Sequence, residues 1–225
     1  MNTAISEPLV ERCERVLSEA YSTRTLIGLS GQPTDVFPTG MTKEAGDALM
    51  KLVADERAGG FLEIGLGLGL SSLFLSLGVL QHHKSFEGLS LDPFQASGWD
   101  SVGIETIRRA GLDRHVRVEQ EYSEFALPRL CGAGARFDFI FVDGGHLFDN
   151  VFVDVFYSIR LARPGSLIVL DDRWMPAVRR AAAFFVNNLG LIDESTPQGT
   201  PGHRFVILRV PHTITQRKWD HHVEF

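Results

Sequence analysis

Apolar positions along this chain follow two periods in turn. From Ser6 to Tyr21 they recur at helical spacing, with Leu9, Val10, Cys13, Val16 and Leu17 on one face. Residues 23–39 are rich in Gly, Pro and Ser and predict a loop or cover. A second helix follows Thr42, an N-cap residue type, and turns Ala45, Leu49, Leu52 and Val53 inward. From there short apolar runs alternate with helical stretches. Strands are predicted at 61–65, 86–91, 115–119, 137–142 and 166–170, with helices at 70–80, 101–110, 123–130, 148–162 and 176–189. Beyond Gly190 the alternation stops. Leu191-Ile192 and Arg204 to Val210 read as two strands around a Gly/Pro turn, an antiparallel hairpin on the sheet edge. Phe148, Phe152, Phe156, Phe184 and Phe185 are assigned to the core.

Strands that alternate with helices imply a parallel sheet covered on both faces. The fold class is therefore α/β: a Rossmann-like, doubly wound, mostly parallel sheet with a C-terminal antiparallel hairpin. One domain spans 1–225, with N-terminal helices and cover over 1–58 and a ligand-binding core over 59–225. Ligands of such sheets bind outside the carboxyl ends of the strands.

Composition narrows the partners. No apolar run approaches the ~20 residues of a bilayer span, so no membrane partner is expected. Met1 to Glu11 lacks the basic-then-apolar pattern of a secretory leader. Cys13 and Cys131 lie far apart and read as free thiols, which fits a reducing cytoplasm. A net charge of −6 argues against nucleic acid and leaves a small molecule as the partner, with a homo-oligomer left open.

The chemistry starts at Phe61-Leu62-Glu63-Ile64-Gly65-Leu66-Gly67-Leu68-Gly69. An apolar strand runs into three alternate glycines, and a helix opens at Leu70-Ser71-Ser72. Glycine allows a sharp turn and close approach of a ligand, and the helix start offers free N–H groups to an anion. The spacing is Gly-x-Gly-x-Gly rather than the dinucleotide Gly-x-Gly-x-x-Gly. Glu63 sits inside the strand end, and Asp92 ends the second strand, where a carboxylate can accept both hydroxyls of a ribose. At the far side, Asp143 ends the fourth strand, and Asp171 and Asp172 end the fifth. Neighbouring strand tips lie about 5 Å apart, so three carboxylates converge. Without a counter-ion they would repel, and a hard divalent cation removes the conflict.

These residues resemble the class I S-adenosylmethionine-dependent methyltransferases, in particular the small O-methyltransferases. Glu63-x-Gly65-x-Gly67-x-Gly69 followed by Asp92 carries the likeness, and it extends along most of the chain. Thr39-Gly40-Met41-Thr42-Lys43-Glu44-Ala45-Gly46 is similar to the segment before their first strand, and Ser123 to Pro128 to their Ser-x-x-x-Leu-Pro motif beside adenine. Glu121-Tyr122-Ser123 stands where the family more often has Gly-Asp-Ser. The resemblance implies that S-adenosylmethionine is held by Met41, Glu63, Gly65, Gly67, Gly69, Ser71, Ser72, Asp92, Tyr122, Ser123 and Asp143. Glu63 would attract its ammonium directly or through water, and the helix start at Ser71 and Ser72 its carboxylate. The resemblance also implies a divalent metal (Mg, Mn or Ca) on Asp143, Asp171 and Asp172, with His146 as the base that deprotonates an acceptor hydroxyl. Arg173, Trp174, Met175, Trp99 and the 23–39 loop are placed around a small-molecule acceptor. The expected activity is O-methylation. A metal-independent methyltransferase, another S-adenosylmethionine-using enzyme and a catalytically silent partner subunit stay open. The Trp219-Asp220-His221-His222 tail reads as a surface or interface tail.

Overall fold

Strands apolar on both sides need cover on both faces, and the computed structural model supplies it. The structure describes residues 7–200, 202–213 and 216–225; the predicted helix start at Ser6 lies outside them. The elements run α1 (Leu9–Thr23), β1 (Thr25–Ile27), β2 (Pro33–Asp35), α2 (Lys43–Asp55), β3 (Gly60–Ile64), α3 (Leu70–Leu80), β4 (Glu87–Leu91), α4 (Val102–Arg109) and β5 (Val116–Glu119). They continue with α5 (Ser123–Gly132), β6 (Phe137–Val142), α6 (Phe148–Leu161), β7 (Ala162–Leu170), α7 (Pro176–Leu189), β8 (Ile192–Asp193) and β9 (Val206–Arg209).

The main sheet has the order β5-β4-β3-β6-β7-β9-β8. Its first five strands are parallel. Strand β9 then runs antiparallel beside β7, and β8 takes the outer edge. The expected hairpin is present, with its second strand pressed against the parallel sheet. Strand β7 begins before the predicted 166, because Ala162 pairs with Phe137 ahead of a register shift.

The pleat divides the core. Phe61, Phe139, Phe141, Leu167 and Val169 point to the face covered by α1, α2 and α3. Leu62, Ile64, Ile140, Val142, Ile168 and Leu170 point to the face covered by α5, α6 and α7. Helix α3 is buried along nearly its whole length, which explains why it is apolar all round. Among the expected core aromatics Phe185 is fully buried, and Phe152, Phe156 and Phe184 pack against it or near it. Phe148, at the first position of α6, is instead exposed. Cys13 and Cys131 are free thiols.

One local feature departs from the sequence pattern. The 23–39 segment contains an antiparallel pair, β1 with β2, over three registered residue pairs. Strands this short carry no readable alternation. The start of α2 follows the expected cap: Thr42 Oγ1 accepts from the Ala45 N–H at 3.3 Å. Among the described residues no helix is long and apolar enough to cross a membrane.

Candidate active site

The carboxyl ends of β3, β4, β6 and β7 open into a cavity of about 730 Å³. That volume suits a drug-sized ligand and more. On one side lie Gly65, Gly67, Ser71, Asp92, Trp99, Tyr122 and Ser123; on the other, Asp143, His146, Asp172, Trp174 and Arg204. Met41, from the segment before α2, closes one wall.

The three glycines have separate duties. All have positive φ, 94° at Gly65, 50° at Gly67 and 81° at Gly69. A Cβ on Gly65 would stand 2.1 Å from the backbone oxygen of Asp143, so this glycine lets β3 and β6 close together. A Cβ on Gly69 would meet Gly103 of α4 at 2.8 Å. A Cβ on Gly67 would meet nothing within 4 Å: it would stand in the cavity itself. Gly67 is thus the cradle position. Gly67→Ala should leave thermal stability within about 2 kcal/mol of the parent, the cost of a left-handed non-glycine residue. It should weaken cofactor binding tenfold or more, a loss of about 1.4 kcal/mol. Differential scanning fluorimetry with and without cofactor checks both halves.

Asp92 is prepared by its loop. Its Oδ2 accepts from the Gly67 N–H at 2.8 Å and Gln95 Nε2 at 2.9 Å, and its Oδ1 from the Phe94 N–H at 2.8 Å. Gln95, fully buried, also donates to the Gly67 carbonyl at 2.8 Å. It ties the glycine turn to the end of β4, a role invisible in the sequence pattern. Tyr122 lies edge-on to Phe94 with ring centroids 5.6 Å apart, beside Ser123.

Glu63 does not line the cavity, so of the two expected modes, direct or through water, direct contact with an ammonium group does not fit. It is fully buried, and its carboxylate accepts three serine hydroxyls: Ser71 at 2.5 Å, Ser90 at 2.5 Å and Ser72. Burial pushes its pKa up to about 7, with the serines pulling the other way. The acid locks the start of α3 onto β3 and β4. Ser72, equally buried, belongs to that lock and not to the cavity wall; Ser71 touches both.

The acid cluster differs from the expected set as well. Asp143, His146 and Asp172 can each bring one ligand atom within 4.8 Å of the others. His146 Nε2 stands 3.0 Å from Asp172 Oδ2 and 3.6 Å from Asp143 Oδ1. These two acids push the imidazole pKa up to about 10. Burial, helped by Asp171 and Asp172, raises Asp143. His146 holds Asp172 below the usual carboxylate range. Asp172 has φ 53°, a left-handed conformation uncommon outside glycine, which turns its side chain toward His146 and Trp174.

Asp171 is not part of this cluster. Its buried carboxylate is gripped at both oxygens by Arg204, through Nε to Oδ1 and through Nη2 to Oδ2. Arg204 Nη2 also lies 3.1 Å from Asp172 Oδ1, which accepts Trp174 Nε1 at 3.0 Å as well. A divalent ion on Asp143, Asp171 and Asp172 therefore does not fit these residues, because a permanently charged arginine already occupies the Asp171 side. Of the residues expected around the acceptor, Trp174 and Trp99 line the cavity. Arg173 instead donates to the Thr196 carbonyl at 2.7 Å, and Met175 packs against the core.

Residues 62–173 match a family described as a methyltransferase domain. The matched stretch holds the glycine turn, Asp92, Asp143, Asp171 and Asp172, so this part of the chain is similar to a methyltransferase domain. The chain is 31% identical over 118 residues to a catechol O-methyltransferase of Niastella koreensis, across 52% of its length. That match spans 50% of the length of the relative. Among solved structures it resembles an O-methyltransferase from Bacillus cereus in complex with SAH, with TM-score 0.65, 20% identity and coverage of 93% of this chain and 94% of the other. It also resembles TomG, an O-methyltransferase from Streptomyces achromogenes involved in tomaymycin synthesis and solved with SAM. There the TM-score is 0.63 at 19% identity, covering 94% of this chain and 93% of the other. At these identities the structural likeness speaks for the fold alone.

Proposed function

We propose that this protein transfers a methyl group from S-adenosylmethionine to a hydroxyl oxygen of a small acceptor, of the hydroxylated aromatic type that the Niastella koreensis relative's name implies. One observation carries the reading: a single cavity joins the glycine cradle and Asp92 to His146 between two carboxylates. When bound, the cofactor supplies an electrophilic methyl group on a sulfonium.

The protein's own groups do the rest. Gly67 admits the cofactor, and Asp92, fixed by three donors, accepts from the ribose with the lone pair left on Oδ1. Tyr122 and Ser123 border the adenine end, and Trp174, largely exposed at the rim, offers a flat apolar face to the acceptor. His146 takes the hydroxyl proton at the ring nitrogen that the acids leave free, while Asp143 and Asp172 hold Nε2 and stabilise the imidazolium that results. Holding acceptor and methyl donor in line in one pocket supplies much of the rate. No step is routed through a metal ion on Asp143, Asp171 and Asp172, since the Asp171 carboxylate is committed to Arg204.

Turnover of the purified chain with S-adenosylmethionine and a panel of catechols and phenols, read as S-adenosylhomocysteine formed, tests the proposal. Cofactor binding without product across acceptors of every hydroxyl class would sink it. Asp92→Ala should weaken S-adenosylmethionine binding by about 1.5–3 kcal/mol, the scale of a charge-assisted hydrogen bond. Calorimetry on this variant checks it, and an unchanged Kd would mean the ribose is held elsewhere.

A further inference from the structure

The acids at the ends of β6 and β7 pose a charge problem that a divalent ion would ordinarily solve. Asp143, Asp171 and Asp172 lie close enough that burial and mutual repulsion raise Asp143. In this chain the answer comes from a distant part of the sequence. Strand β9 runs antiparallel beside β7, with Leu170 paired to Val206. That register carries Arg204, two residues before Val206, to the tip of β7, where the Arg173 N–H donates to the Arg204 carbonyl at 2.9 Å. The side chain then lies across Asp171 and Asp172.

We infer that Arg204 is the fixed cation of this active site, standing where a divalent ion would otherwise sit and facing the acceptor oxygen in its place. The donors already used make the case. Asp171 Oδ1 takes Arg204 Nε and the Asp172 N–H, and Asp171 Oδ2 takes Arg204 Nη2. Asp172 Oδ1 takes Trp174 Nε1 and faces Arg204 Nη2, and Asp172 Oδ2 faces His146. Every carboxylate oxygen contributed by β7 and its turn thus has a cationic or N–H partner. A metal would have to displace a bidentate guanidinium, which cannot lose its charge. Arg204 is two-thirds buried yet lines the same cavity as His146, so its charge is available to an oxyanion forming there. A pre-aimed cation at such a point stabilises developing negative charge without reorganising.

The rate consequence rests on the proposed methyl transfer, but metal binding does not, and the experiment keeps the two apart. Mn²⁺ is titrated into the 225-residue chain and followed by electron paramagnetic resonance, for the parent, Arg204→Ala and Arg204→Lys. The parent should bind Mn²⁺ no better than millimolar, and its turnover should be the same in EDTA as in Mg²⁺. Arg204→Ala frees the Asp171 carboxylate and one oxygen of Asp172. It should bind Mn²⁺ at least tenfold more tightly than the parent, lose about 10²-fold in kcat, the scale of one electrostatic donor, and regain part of that with Mn²⁺. Arg204→Lys keeps a charge without the fork and should fall between the two. Submicromolar Mn²⁺ binding by the parent, or its inactivation by EDTA with recovery in Mg²⁺, would overturn the inference. So would a folded Arg204→Ala variant with unchanged metal affinity. If Arg204→Ala does not fold, the parent's Mn²⁺ titration and its response to EDTA still decide the matter. A parent that takes no metal and turns over no acceptor would leave the guanidinium's place intact and refute the proposed reaction instead.

Discussion

Replacing His146 by alanine is expected to lower kcat by about 10²–10⁴-fold, the usual contribution of a positioned general base. Affinity for S-adenosylmethionine should hardly change, because the cradle at Gly67 and the carboxylate at Asp92 lie on β3 and β4, while His146 follows β6. The pH profile separates a chemical role from a structural one. Asp143 and Asp172 favour the protonated ring and push its pKa up to about 10, so the imidazolium is the resting form at neutral pH. Only the neutral ring can accept a proton. The rate of the parent should therefore climb from pH 7 toward pH 10, as the ring loses its proton, and that climb should be absent in His146→Ala. Stopped-time assays of product against pH, run at saturating cofactor, read both effects. A variant that keeps more than a tenth of the parental kcat and the same pH dependence would remove His146 from the chemistry.

The second large effect is on stability and falls on Gly65. Gly65→Ala should cost at least about 3 kcal/mol, from a main-chain clash added to a left-handed φ. The Cβ would lie 2.1 Å from the Asp143 oxygen and 2.8 Å from the Gly144 nitrogen, and no side-chain rotation relieves a backbone contact. A domain of this length loses about 2–4 °C of Tm per kcal/mol, so the midpoint should drop by about 6–12 °C. The clash also pushes on Asp143, so activity should fall even below the new midpoint. Circular-dichroism melts of Gly65→Ala beside Gly67→Ala give the contrast: the first should melt early, and the second should melt near the parent but bind cofactor poorly. If Gly65→Ala melts within a degree or two of the parent, the strand junction is softer than these distances imply.

The alternation of apolar runs and helical faces was enough to read five parallel strands, the helices between them and the terminal hairpin, since each rests on residues close in sequence. It was also enough to place the glycine turn, Asp92, Asp143 and His146 at strand ends, because in a parallel sheet those ends share one edge. What each glycine does was hidden in the sequence. Gly65, Gly67 and Gly69 are equally spaced, and only the packing shows that the first admits β6, the second faces open cavity and the third admits α4. Glu63 shows the same limit. Its place in the strand was legible, but its face is decided by the pleat and by the three serines that converge there from α3 and β4. The β1–β2 pair was too short to carry a period. Arg204 is the clearest case. It lies 33 residues from Asp171, beyond a helix and a turn, and no local pattern joins them. The antiparallel register of β9 against β7 makes them neighbours, and that register is a property of the assembled sheet. Side-chain chemistry and local period are written in the sequence, whereas the partner that neutralises a buried carboxylate is chosen by which chain segments the tertiary structure brings within reach.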